Sequence, residues 1–266
     1  MADLRLSQIW IYPIKSLGGI SLQTAKVMPK GLQFDRRWML VDSNGQFLTQ
    51  RIHSKMALFK MSLADGKLSI NYKEHSISFS TDQTSDIAFD AQIWEDTVSV
   101  TEVNSEHNKW FSEHLGINCR LVRFPEKNER RVDPQYAPTE EHVSLADAYP
   151  FLIIGQSSLD DLNERLHDPI SMKRFRPNFV FTGGEPYDED SWRNISIGST
   201  QFIGVKRCGR CALPTVDPET GEKGVEPLRT LSIYRKFDNK VYFGQNLIAI
   251  DHTEVNVGDR ITLKPA

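Results

Sequence analysis

Cysteine is scarce, with three in 266 residues. Three cannot build a disulfide framework, and an odd count suits a reducing compartment. Long apolar runs are missing as well: the longest lies around Phe151–Ile154, far below the roughly 20 residues of a membrane span. The first twenty residues carry Asp3, Arg5 and Lys15 without a continuous apolar stretch. No secretory signal is therefore expected, and the cytoplasm is the expected location. Neither sign of charge dominates. The 32 Lys and Arg against 35 Asp and Glu give −3, which excludes a globally basic nucleic-acid binder and an acidic tail protein. Any anion site must be a local patch. There is no internal repeat or low-complexity tract, and the seven histidines form no H-x-x-x-H or H-E-x-x-H pattern, so zinc hydrolase chemistry has no support.

What remains is a globular composition, 39% hydrophobic and 25% charged, long enough for one large domain or two modest ones. The N-terminal part reads as short strands: 4–14, 20–28, 38–42, 46–51, 57–64, 68–72, 76–80 and 96–103. Asn44-Gly45 and Asp65-Gly66 are hairpin turn signals. Three segments read as helices. Residues 105–115 begin with Ser105 as N-cap and stop at Gly116; 158–166 put Leu159, Leu162 and Leu166 on one face with Asp160 and Asp161 in the first turn; 227–237 are weaker. Strands return over 241–263. The polar stretch 125–138 reads as the connection between halves. The five tryptophans, Trp10, Trp38, Trp94, Trp110 and Trp192, are expected in the core.

The most informative segment runs from Lys206 to Pro218 and contains Cys208-Gly209-Arg210-Cys211. A structural zinc site needs four ligands, and only Cys119 remains to join these two. A thioredoxin-like pair starts a helix, which Leu213-Pro214 opposes. Two packed thiols are the third reading. Lys206, Arg207 and Arg210 favour a functional one, because nearby cations lower a thiol pKa and promote the metal-binding thiolate. Asp217 fits a turn cap better than a proton carrier. Two further spots look like anion contacts: Lys15 and Ser16 after Tyr12-Pro13-Ile14, and Arg36 beside Arg37, adjacent residues on opposite faces if strand-like. Phe175-Arg176-Pro177-Asn178 is a third.

Taken in order, Tyr12–Ser16, Asp35–Trp38, Phe175–Asn178 and Cys208–Gly221 resemble the signature segments of the MOSC-domain family, on the branch of the amidoxime-reducing components. The resemblance spans nearly the whole chain. It implies a mainly β fold with some α, built of two barrel-like domains: an N-terminal MOSC-associated barrel over 1–122 and a MOSC barrel over 123–266. It implies a molybdenum–molybdopterin cofactor between them, with Cys211 as the thiolate ligand and catalytic residue. Gly209 and Arg210 would line the cofactor. Lys15, Ser16 and Arg36 would hold the pterin and its phosphate from one side, and Arg176 and Asn178 from the other. Asp147, Ala148 and Tyr149 would wrap the pterin through main-chain groups, while Cys208 would be a packed neighbour.

The implied activity is reduction of N-hydroxylated compounds by oxygen-atom transfer to molybdenum. Some bacterial relatives append a [2Fe–2S] ferredoxin domain, whose cluster needs four cysteines. With three, this chain is expected to draw electrons from a separate ferredoxin- or reductase-type protein, and to bind neither membrane nor nucleic acid. The alternative is a cofactor or sulfur carrier that uses a Cys211 persulfide.

Overall fold

The computed structural model describes residues 3–137 and 139–264. Its organising feature is a nine-stranded sheet. From one edge the order is Ile261–Lys264, Asn194–Ile197, Thr200–Arg210, Lys240–Ala249, Phe151–Gly155, Phe179–Thr182, Arg5–Ile11 and Ile20–Leu22, with Lys236–Phe237 added beside Lys240–Ala249. Three α-helices occur among the described residues: α1 (Ser105–Leu115), α2 (Gln156–Arg165) and α3 (Leu228–Tyr234). Phe151–Gly155 and Phe179–Thr182 run parallel, so a crossover must join them, and α2 lies in that connection. Every residue of Phe151–Gly155 is buried. A strand covered on both faces has no polar side to show, which is why the longest apolar run of the sequence falls here.

Bulges at Gly204/Lys206 and Arg207/Gly209 interrupt the register of Thr200–Arg210. Extra residues bend a strand, and the sheet curls into a half-barrel. At the first bulge a Cβ on Gly204 would sit 2.0 Å from the Trp192 carbonyl oxygen, so only glycine fits. Inside the curl, Phe151 stacks on Phe179 and Phe202 meets both edge-on, at centroid distances of 5.7, 5.4 and 5.6 Å. Each such burial contributes about 1.5–3 kcal/mol.

The N-terminal part adds a meander, Lys60–Ala64, Lys67–Tyr72 and His75–Ser80, and a four-stranded sheet of Trp38–Val41, Arg120–Arg123, Asp96–Glu102 and Ala88–Ile93. Asp65 and Gly66 both have positive φ, at 49° and 69°, the conformation a two-residue hairpin favours. Helix α1 packs Phe111 and Leu115 into a cluster with Trp38, Phe59 and Phe79. The two parts are interleaved. Arg5–Ile11 pairs with Phe179–Thr182, and Thr24–Met28 with Glu254–Asn256.

Several local expectations are corrected. Asn104, not Ser105, caps α1, its side chain accepting from the His107 N–H; Gly116 is left-handed, as a C-terminal stop requires. Helix α2 starts two residues early, at Gln156, so Asp160 and Asp161 lie beyond its first turn. Helix α3 ends at Tyr234, and Lys236–Phe237 turns back as a strand. Residues 46–51 are no strand: the Phe47 N–H donates to Gln92 and the Leu48 N–H to Leu40, after which Thr49 begins a turn. Residues 54–58 form a 3-10 helix. The stretch from Pro125 is anchored, with Lys30 donating to the Glu126 and Asn128 carbonyls and Arg130 7% exposed; its last residue, Pro138, lies outside the described residues. Trp94 is 41% exposed. No helix among the described residues is long and apolar enough to cross a membrane.

Candidate functional site

Pro13 has no N–H to continue the ladder of Arg5–Ile11, and the chain leaves the sheet there. It turns through Ser16, whose φ is 68°. Arg36 and Arg176 are also left-handed, at φ 49° and 56°. A non-glycine residue takes that conformation at a cost the surroundings must hold in place. All three line one cavity of about 440 Å³, the size of a small-molecule site.

Asp35, fully buried, ties these turns together. Its Oδ1 accepts the Tyr12 N–H at 2.7 Å, and its Oδ2 accepts Arg36 Nη1 at 2.6 Å and Asn178 Nδ2 at 3.1 Å. Arg36 Nη2 donates to the Arg176 carbonyl at 3.1 Å, and Arg176 Nη1 to the Leu17 carbonyl at 2.6 Å. The Tyr12 ring lies near both guanidinium groups, 4.3 Å from Arg36 and 4.1 Å from Arg176. Burial pushes the Tyr12 phenol up to about 12 despite both cations. Burial, and then the charge of Arg36, push Arg176 down to about 10. Arg36 and Arg37 do separate as expected, but through a turn and not a strand. Arg37 points away from the cavity, buried against Glu126 and the Asp35 carbonyl.

Lys15, 5% exposed, donates to the Leu145 carbonyl at 2.8 Å and to Asp147 Oδ1. Burial lowers its pKa to about 8, with Asp147 opposing the fall. Burial would raise the Asp147 carboxyl, but the Lys15 charge and hydrogen bond, with Arg51 and Trp94, outweigh it and hold it well below its ordinary value. Ala148 and Tyr149 follow along the same wall. Arg130 props this segment from beneath by donating to the carbonyls of Ser144, Ala146 and Asp147.

The opposite wall carries Cys208, Gly209, Arg210 and Cys211. Cys211 is exposed, and Arg51 Nη1 lies 3.6 Å from its sulfur. Arg51 is held by Thr49 Oγ1 and by the Trp94 ring, 4.0 Å from its guanidinium carbon. Trp94 in turn donates to Asp147 Oδ1 at 3.2 Å. Cys208 packs beside Leu152 and Phe243, and burial pushes its thiol up against the pull of Arg210. The expected promotion of a thiolate by neighbouring cations is thus overturned at Cys208. Lys206 lies over Tyr136 and Arg207 between Phe237 and Tyr242, so the cation facing Cys211 comes from Arg51 instead. Arg210 donates to the Phe243 and Phe175 carbonyls, while its buried Nη2 has no partner among the described residues. Asp217 is a turn cap, accepting from the Glu219 and Thr220 N–H groups and from Arg174.

All eleven residues expected at the site, from Lys15 to Cys211, line this one cavity. Asn178 differs in kind, since its amide is spent on Asp35, Trp10 and Leu152. Four contributors were missed. Asp35 and Arg130 work from behind the wall, and Arg51 and Trp94 reach the site from turns 160 and 117 residues before Cys211. Asp35 stands in the Asp35–Trp38 segment, which does not disclose this role, and no local pattern marks the other three.

The residues suit a cofactor whose metal takes one protein thiolate, a soft ligand, and whose tail is anionic. Cys211 offers the sulfur, Lys15, Arg36 and Arg176 the positive charge, and the unpartnered Arg210 Nη2 a buried donor awaiting an acceptor. Among the described residues no cluster of three His, Cys, Asp or Glu could hold a metal ion alone. Residues 3–118 match the MOSC N-terminal beta barrel domain, and residues 140–262 the MOSC domain. The chain is 32% identical to the mitochondrial amidoxime-reducing component 1 of Mus musculus, over 97% of this chain and 82% of that protein. It is 33% identical to the mitochondrial amidoxime reducing component 2 of Rattus norvegicus, over 89% and 74%. A molybdenum cofactor sulfurase of Oryza sativa subsp. japonica is 30% identical over 99% of this chain but only 34% of its own length. Matched along nearly its whole length by proteins of similar extent, the chain belongs to the MOSC-domain family, on the branch of the amidoxime-reducing components.

Proposed function

We propose that the 440 Å³ cavity holds a molybdenum–pterin cofactor and that the protein reduces N-hydroxylated compounds there. The observation that carries this reading is the convergence of four segments, spread from residue 12 to residue 221, on one cavity with an exposed thiol on one wall and buried cations on the other. Cys211 is the metal ligand in this reading. Lys15, Arg36 and Arg176 hold the phosphate and pterin, Asp147–Tyr149 and Gly209 flank the ring system, and Arg210 supplies its free N–H. When bound, the cofactor supplies two-electron oxygen-atom chemistry. Arg51 donates toward the Cys211 sulfur and steadies its negative charge. The overall change is balanced by two electrons and two protons: the N–O bond breaks, giving the amine or amidine and water. In this reading the electrons come from a separate electron-transfer protein of ferredoxin or reductase type.

The cytoplasm remains the proposed compartment. The proposed division of the chain, 1–122 and 123–266, is a boundary in sequence and not between separable bodies, because strands are exchanged across it. The carrier reading, with a Cys211 persulfide, draws on the sulfurase relatives, of which this chain matches about a third.

The test is metal content of protein made in a molybdate-fed, cofactor-competent host, beside Cys211→Ser. Molybdenum near one per chain, with hydroxylamine and amidoxime reduction lost in the variant, is the expected result. Metal-free protein that releases thiocyanate on cyanide treatment would replace the reductase by the carrier.

A further inference from the structure

Trp94 stands where a hairpin has least use for it. The strands Ala88–Ile93 and Asp96–Glu102 pair Ile93 with Asp96, so Trp94 and Glu95 form a two-residue tip. Trp94 is left-handed, with φ at 56°, a conformation that suits glycine, asparagine or aspartate and burdens a bulky side chain. Four other two-residue tips begin on positive φ, and their first residues are Asp65, Lys73, Gly198 and Asp238. Burial gives no reason for the tryptophan either, since it is 41% exposed and does not line the large cavity. A residue held in such a conformation persists where its surroundings use it.

Its contacts lead to the site. The ring lies 4.0 Å from the Arg51 guanidinium carbon, and the indole N–H donates to Asp147 Oδ1 at 3.2 Å, the same oxygen that accepts Lys15. Phe47, 5.0 Å from Trp94 between ring centroids, is itself 5.4 Å from Lys15 Nζ. Arg51 depends on this neighbour. Its Nε donates to Thr49 Oγ1 at 3.1 Å, a bond within its own turn that does not by itself fix where the far nitrogens point. Stacking on a ring does fix the plane of a guanidinium, and Nη1 sits 3.6 Å from the Cys211 sulfur.

We propose that Trp94 is a positioning residue: from the hairpin tip it holds Arg51 against the Cys211 sulfur and ties that contact, through Asp147, to Lys15 across the cavity. It acts through these side chains and not on a ligand. The kinetic consequence rests on the reading of Cys211 as the metal ligand, whereas the placing of Arg51 does not, so the two are tested apart.

In metal-free full chain, the NMR signal of the Arg51 Nε–H, assigned by its loss in Arg51→Lys, reports where this side chain lies. It should be sharp and shifted by the indole ring in wild type and should collapse toward that of a solvated arginine in Trp94→Asn, a residue suited to the left-handed tip. Trp94→Phe, which keeps a ring without the N–H, should keep the signal shifted. In molybdenum-loaded protein, kcat per bound molybdenum for hydroxylamine reduction should fall about 10–100-fold in Trp94→Asn, as for groups that orient a metal ligand. KM should stay within about threefold, because Trp94 does not line the cavity, and Trp94→Phe should recover most of the loss. The Tm of Trp94→Asn should stay within about 4 °C of wild type. An unmoved Arg51 signal in Trp94→Asn, or a lowered Tm with kcat per molybdenum intact, would overturn the assignment and leave Trp94 a structural residue. Wild type that binds no molybdenum would instead remove the reading of Cys211, and the Arg51 signal alone would then decide the role of Trp94.

Discussion

Replacing Lys15 by methionine separates what this residue does for the fold from what it does for a ligand. The pKa of Lys15 falls from 10.5 to about 8. At about 1.4 kcal/mol per tenfold change in proton affinity, the folded chain carries the charged amine at a disadvantage of about 3 kcal/mol. Methionine removes that cost and keeps the length of the side chain. It also strands the Leu145 carbonyl, a loss of about 1–3 kcal/mol, whereas Asp147 is half exposed and keeps Trp94. The opposing effects nearly cancel, so at neutral pH the Tm of Lys15→Met should stay within about 4 °C of wild type. Retained pterin and molybdenum should fall at least about tenfold, as expected for a lost charge-assisted contact to phosphate.

The pH dependence has a definite sign. Between about 8 and 10.5 the unfolded chain holds the Lys15 proton and the folded chain does not, so wild-type stability gains from this residue as pH rises through that window. The variant gains nothing. Urea unfolding at pH 7.5 and 10 should therefore show wild type improving relative to Lys15→Met by up to about 3 kcal/mol. A variant that unfolds far below wild type while keeping its cofactor would refute the reasoning, because Lys15 would then be holding the structure and not the ligand.

Three further outcomes are expected. Asp35→Asn leaves Arg36 without its buried carboxylate and should lower stability by about 3–5 kcal/mol in urea titrations; a change under 1 kcal/mol would deny Asp35 its joining role. Cys211→Ser should abolish N-reduction while Cys208→Ser, at a packed thiol, should retain it, measured as amine formed from a hydroxylamine; the opposite pattern would mean that the ligand is Cys208. Burial raises Glu189 to about 7. The folded chain therefore binds the proton more tightly than the unfolded one, and stability from this group is lost as pH rises from 4.5 through 7. Urea midpoints of wild type should fall over that interval relative to Glu189→Gln, and parallel curves would refute it.

The parts of this molecule that could be read from sequence are those whose physics is local. Asp65-Gly66 demands two positive φ angles wherever it lies, and the apolar run around Phe151 demands cover on both faces, so a hairpin and a central strand follow without knowledge of the rest. Residues 46–51 failed for the converse reason. Their composition suits a strand, but their N–H groups divide between Gln92 and Leu40, partners that only the assembled sheets bring near. The same division runs through the site. Lys15, Arg36 and Arg176 sit in recognisable segments, yet what aims the two arginines is left-handed backbone joined around Asp35, a carboxylate that from sequence alone is one half of an ordinary Asp-Arg pair, and what holds Lys15 is Asp147 and the Leu145 carbonyl, 130 residues away. Arg51 shows the consequence. The cations nearest the cysteines in sequence turn aside to stack on aromatic rings, and the cation that meets Cys211 is supplied from the other half of the chain. The electrostatics of this thiol is therefore a property of the joint between the two halves, and substitutions at Trp94 or Thr49, which hold Arg51, should reach Cys211 without touching its own strand.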